Sequence, residues 1–256
     1  MTASNPLPSG LFWGSVYPFQ AIALISRSPQ FWGYIVIPIL VNIVAGILLY
    51  TGLLIPTLQG VDALILKLPT WATWLGLILR ILLAGGLFLA IGFLLTQFGV
   101  ILGAPWYGKL AEKIEHHRTG QLPPAEAQGL GSIAYDLGRA LLFELKKILL
   151  ILGVGGLLLT LGFLPILGPL AVTLGSLGLS VTIVCLDFFD ASLERRRLSF
   201  RTKLGLIRQA LPASAGFGLV CLGLVSLPLL NLFTIPLCVV GGTLFFCDRI
   251  RPHLPG

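Results

Sequence analysis

Hydrophobic and polar positions fall along this chain in long blocks. Gln30 to Pro56, Ile81 to Gly108, Ile148 to Leu186 and Gln209 to Cys247 carry no charged residue at all. Each exceeds the ~18–20 residues that a spanning helix needs, and none has a strand-like context. The first block predicts a helix that starts at Ser28-Pro29, with Ser28 as N-cap and Pro29 in the first helical position. Pro38 is expected to bend it. Residues 57–70 read as a connection. A second span starts near Trp71, passes Arg80, kinks at Gly103-Ala104-Pro105 and leaves the membrane as a polar helix, Trp106 to Arg118. Trp106 and Tyr107 mark that exit as an aromatic belt.

Three further segments complete the pattern. Residues 1–10 are polar and read as flexible; Pro18 to Ser26, set among aromatics, reads as an interfacial helix. Thr119 to Gly129 reads as a loop, and Ser132 to Lys147 as an amphipathic helix lying along the bilayer surface. The last two uncharged blocks are each split near the middle, by FLPILGP and by SLPLLNLFTIP. Their halves are about 17–20 residues long, or ~26–30 Å of helix, borderline for a crossing. Each block therefore predicts a helical hairpin, and the two resemble copies of one unit. Pro165, Gly168 and Pro169 form the first turn; Pro228, Asn231 and Pro236 form the second. Gly168 and Asn231 are the candidates for left-handed turn residues. Such a turn either emerges on the far side or stops inside the membrane, where protein or a watery cavity must cover it.

Composition agrees. The chain has 256 residues, 56% hydrophobic and 11% charged, where a soluble domain carries about 25% charged. The fold class is an all-α integral membrane protein, a single domain over residues 1–256. The net charge of +7 does not point to nucleic acid. Its basic residues sit on loops that fall on one side if the first two spans cross once each, leaving Lys67 and Arg80 on the other. The positive-inside bias then places both termini in the cytoplasm.

Candidate chemistry is sparse. Cys185, Cys221, Cys238 and Cys247 lie in or at the end of apolar blocks and read as small buried hydrophobes. No phosphate loop, nucleophile constellation or metal-ligand spacing appears, so no cofactor, metal or enzyme activity is expected. Neighbouring His116 and His117 do not share a helix face and read as solvated surface. Asp187 and Asp190 stand at helical spacing as interface carboxylates. A cation site is conceivable there, but Arg195 to Arg197 close behind favour a charge network. Arg195, Arg196, Arg197 and Arg201 are candidates for concentrating anions at an entrance, against the alternative of contacts to lipid phosphates.

YIVIPILVN (Tyr34 to Asn42), GAPWYGKLAEKIE (Gly103 to Glu115), the FLPILG turn, CLDFFD, RRRLSFRTKL (Arg195 to Leu204) and LPLLNLFTIP occur in this order. In that order and spacing the chain resembles the EI24-domain family, which includes bacterial CysZ-type sulfate transporters and a eukaryotic endoplasmic-reticulum branch linked to autophagy. The resemblance implies two long transmembrane helices, two hairpins that penetrate the membrane only partly, amphipathic surface helices and a homo-oligomer. It implies sulfate uptake for cysteine synthesis across the bacterial inner membrane, with sulfate and the lipid bilayer as partners. A non-transporting membrane scaffold of the same family is the alternative. The family's arginine pair is replaced by Trp32-Gly33, and its Asp-Tyr-Pro by Asp187-Phe188-Phe189. The substrate site implied near the start of the first span then comprises Arg27, Ser28, Gln30, Phe31 and Trp32, with backbone N–H groups of Gln30 to Trp32 as donors.

Overall fold

The computed structural model describes residues 10–66, 69, 73–121, 130–165, 167–227 and 230–254. Among these the chain is helical throughout, with no strand. Its helices are α1 (Leu11–Ser15), α2 (Tyr17–Arg27), α3 (Trp32–Leu49), α4 (Ile55–Ile65), α5 (Thr73–Thr119), α6 (Leu130–Gly162), α7 (Leu167–Leu193), α8 (Phe200–Gln209), α9 (Ala213–Val225) and α10 (Asn231–Phe245). Among the described residues four stretches are long and apolar enough to cross a membrane: Pro29–Ala63, Trp74–Gly92, Leu167–Arg196 and Leu232–Ile250. The chain is an all-α, multi-pass membrane protein.

The first span is longer than its pattern predicts. A π turn at Tyr50–Leu54 carries the helix past Pro56 into α4, so residues 57–65 are helix, not connection. A π turn re-registers the backbone bonds and lets the helix continue near a residue that has no N–H to donate. This span packs along α5. Tyr50 donates to the Phe88 carbonyl at 3.2 Å, and Asp62 pairs with Arg80 at 3.5 Å. That ion pair accounts for an arginine well inside an apolar helix. Helix α5 runs on through Gly103, Ala104 and Pro105 for 47 residues, so the polar helix continues the span as expected.

The surface helix expected at Ser132 to Lys147 is also not separate. It forms the first half of α6, which continues unbroken into the apolar stretch ending at Gly162. Nothing between Lys147 and Ile148 breaks a helix: the polarity changes there, but the backbone preference does not. The turn then places Phe163 and Leu164 at an exposed tip, and Gly168 sits in the first turn of α7. Among the described residues the positive backbone φ angles belong to Gly120 and Arg197, so neither Gly168 nor Asn231 is left-handed. Gly168 is needed for close approach instead: a Cβ there would lie 2.7 Å from the Gly162 carbonyl oxygen and 2.8 Å from that of Leu161. Pro236 lies buried inside α10 rather than in a turn, and Pro228 falls outside the described residues. Pro165 is in the first turn, and Pro169 opens α7 two residues in.

Helices α8 and α9 meet at a 105° bend. α9 has 13 residues, ~20 Å of helix against a hydrocarbon core of ~30 Å, so the second hairpin penetrates without crossing on that arm. The core gathers around α10. Phe189, Phe217 and Phe245 stack with centroids 4.9 to 5.7 Å apart, worth about 0.5–1.5 kcal/mol per pair beyond burial. All four cysteines are buried thiols in or beside this core. α1 docks on α9 backbone to backbone: a Cβ on Gly216 would sit 1.8 Å from the Leu11 carbonyl oxygen, the small-residue contact typical of membrane helices.

Candidate functional site

The start of the first span is built as a junction between α2 and α3. α2 ends at Arg27, and a short 3₁₀ turn, Pro29–Phe31, leads into α3. Ser28 stands at the N-cap of that turn and Pro29 in its first position, as the sequence suggested, but the Ser28 side chain makes no capping bond. Two of the three expected anion donors are also occupied: the Phe31 N–H bonds to the Ser28 carbonyl and the Trp32 N–H to the Pro29 carbonyl. A 3₁₀ start consumes these groups because its bonds span one residue fewer than those of an α-helix. The exposed Trp32 donates its indole N–H to the Ile25 carbonyl at 3.0 Å, stapling α2 to α3.

What completes the site comes from the far end of α5. Phe31 is buried, and its ring meets that of His117 edge-on at 5.9 Å. On one side of this contact lies an open cavity of about 510 Å³, lined by Gln20, Arg27, Ser28, His117 and Arg118 among others. On the other lies one of about 650 Å³, lined by Gln30, Tyr34, Lys109, Glu112, Lys113, His116 and His117. His117 lines both cavities, and Phe31 lines the second. Sequence reasoning missed the α5 residues, although their spacing carries the signal. Lys109, Lys113 and His117 stand at i, i+4 and i+8 along one face, with His116 at its edge; Tyr107, Leu110, Ala111 and Ile114 form the buried one.

Charge pairing decides which cations are available to a ligand. Arg118 bonds Asp248 in bidentate fashion, 3.0 Å at each contact, and this carboxylate holds the guanidinium pKa above its ordinary value. Tyr17 donates to the same carboxylate at 3.4 Å; burial pushes its phenol pKa up. Glu112 is taken by Arg195 at 3.1 Å. Arg27 meets no carboxylate among the described residues, and neither do Lys109 and Lys113, the latter lying 5.5 Å from the Tyr34 ring centroid. The two cavities therefore present Arg27, Lys109 and Lys113 as uncompensated positive charge.

The basic cluster after α7 divides in two. Arg195 is 6% exposed in its pair with Glu112. Arg196 pairs with the buried Glu115, donates to the Ser192 carbonyl at 3.0 Å and stacks 4.5 Å from the Phe246 ring centroid. These two arginines bind α7 to α5 and the chain's end, which is not the geometry of a free entrance. Arg197, at φ 50°, and Arg201 are exposed. Asp187 accepts from Lys147 at 2.7 Å. Asp190 and Glu194 both accept from Lys203, at 2.5 and 2.6 Å, and Glu194 also accepts from Arg139 at 2.8 Å. The carboxylates thus belong to a charge network tying α6, α7 and α8 together.

A family model described as sulfate transporter CysZ/etoposide-induced protein 2.4, EI24, matches residues 17–236. A sulfate transporter CysZ of Pectobacterium atrosepticum is 27% identical over 238 residues, covering 93% of this chain and 86% of that protein. Proteins of the same name from Vibrio cholerae and Salmonella typhi are 27% and 26% identical, each covering 92% of its own length.

Proposed function

This chain belongs to the EI24 family, and from that premise we propose that it passes sulfate, or a similar small oxyanion, across a bacterial inner membrane to supply cysteine synthesis. The observation that carries this reading is the pair of cavities joined at His117, with Arg27 on one side and Lys109 and Lys113 on the other. A dianion attracts uncompensated cations strongly, and a guanidinium offers it a planar fork of donors. Three cations distributed over two chambers take the place of the adjacent arginine pair that the family resemblance implies. Sulfate entering at Arg27 has a second cationic chamber one side chain away, an arrangement suited to passage because no single contact holds the ion deeply.

The reading includes a homo-oligomer with both termini in the cytoplasm. The orientation is supported by the basic residues of the polar connections, which fall on one side of the spans in the charge pattern, and the oligomer by the family resemblance. Sulfate titration of the purified protein by calorimetry tests the site. Losing a hydrogen bond to a charged group costs about 1.5–3 kcal/mol, so Arg27→Ala weakens binding roughly 10- to 100-fold, with the size-exclusion profile unchanged. Equal affinity in parent and variant would sink this site. Absence of binding of sulfate, phosphate and chloride alike to the parent would leave the non-transporting scaffold as the better reading.

A further inference from the structure

Away from that site, the elbow between α8 and α9 leaves a groove of about 310 Å³ against α7. Its walls are apolar: Val181, Leu204, Ile207, Leu211 and Ala215. The polar side-chain atoms along it already donate to backbone carbonyls. Thr182 donates to the Gly178 carbonyl at 2.8 Å, Ser214 to the Ile207 carbonyl at 2.8 Å, and the Cys185 thiol to the Ser214 carbonyl at 3.1 Å. The groove thus offers an occupant almost no hydrogen bonds, except at its rim. There Arg208 is exposed and meets no carboxylate among the described residues.

The elbow also fixes the depth of the groove. α8 is amphipathic, with Lys203, Leu206 and Ile207 buried and Arg201 and Arg208, seven residues apart, on its exposed side. After the 105° bend α9 carries no charge. A polar surface helix turning into an apolar penetrating one marks the level of the lipid headgroups. We propose that this groove binds an anionic phospholipid, with part of an acyl chain along Val181, Ile207 and Ala215 and the headgroup phosphate on Arg208. A water-soluble ligand would leave its own polar groups unpaired against these walls, whereas an acyl chain has none, and its volume lies at the low end for ligand sites.

Native mass spectrometry of the detergent-purified protein tests this, with phosphatidylglycerol and phosphatidylcholine offered at equal concentration. One cation at a membrane surface favours the anionic lipid about five-fold. The parent is expected to show that preference; Arg208→Gln is expected to bring the ratio near one, and Ala215→Phe to reduce both lipids. Phosphatidylglycerol should raise the melting temperature of the parent more than that of Arg208→Gln, a readout that does not depend on the groove-filling variant. Sulfate affinity should be the same in Arg208→Gln as in the parent, which separates this site from the anion cavities. Equal binding of both lipids by the parent would overturn the proposal. So would a preference retained in Arg208→Gln, or displacement of phosphatidylglycerol by inorganic sulfate.

Discussion

Lys203 shows how much of this molecule depends on charges placed inside it. Its side chain is 1% exposed, held between Asp190 at 2.5 Å and Glu194 at 2.6 Å, with the Phe143 ring centroid 4.4 Å from its ammonium. Replacing it by Ala leaves Asp190 without its cation and shifts Glu194 onto Arg139 alone. Breaking a buried pair from one side costs about 3–5 kcal/mol. The two carboxylates are 30% and 33% exposed, so water recovers part of that, and the lower end, about 3 kcal/mol, applies. At roughly 2–4 °C per kcal/mol for a chain of this size, Lys203→Ala should melt about 6–12 °C below the parent. Tryptophan fluorescence of the detergent-purified proteins reads this directly. Arg201→Ala, two residues away and exposed, is the control and should move little, since surface substitutions usually stay within about 0.5 kcal/mol. Adding Asp190→Asn to Lys203→Met should recover part of the loss, because no uncompensated charge then remains. A Lys203→Ala protein that melts with the Arg201→Ala control would refute the reasoning: the network would then be an arrangement of side chains without energetic consequence.

Two other predictions concern architecture. Gly168→Val should lower stability, because its side chain would be driven into the Leu161 and Gly162 carbonyls, and Gly168→Ala should already show part of that loss; two stable variants in thermal melting would remove the close-approach account of the first hairpin. A membrane-impermeant thiol reagent applied to intact cells should label Gly60→Cys but not Thr119→Cys or Ser199→Cys, with the four native cysteines silent because they are buried; labelling of Ser199→Cys from outside would reverse the charge-based orientation.

The sequence was most legible where composition alone decides. Four uncharged blocks gave the apolar helices, and the polar end of α5 and the charged segment after α7 lie where the pattern puts them. It was least legible where helix continuity depends on backbone geometry. Polarity changes at Lys147 and Ile148 without any helix breaker, so α6 runs through what looked like a boundary. Pro105 and Pro236 are carried inside helices α5 and α10, since in a membrane neighbouring groups re-satisfy the freed carbonyls. Gly168 was singled out for its backbone freedom, whereas its lack of a Cβ is what the hairpin uses. At the site, Arg27 was visible as a charge before a helix start. His117 was weighed only with His116 as a ligand pair, and its contact with Phe31 joins residues far apart in sequence. Arg195 looked like an exposed cation because its partner Glu112 lies on another helix.

Radiolabelled sulfate flux into liposomes holding the purified protein tests the central claim most directly. The parent should admit sulfate, with flux falling as salt screens the exposed cations. Arg27→Ala should lose most of that flux, and Lys109→Met with Lys113→Met should lose it too while the assembled protein stays intact. Sulfate flux through Arg27→Ala and the double lysine variant at the parent's rate would contradict the account.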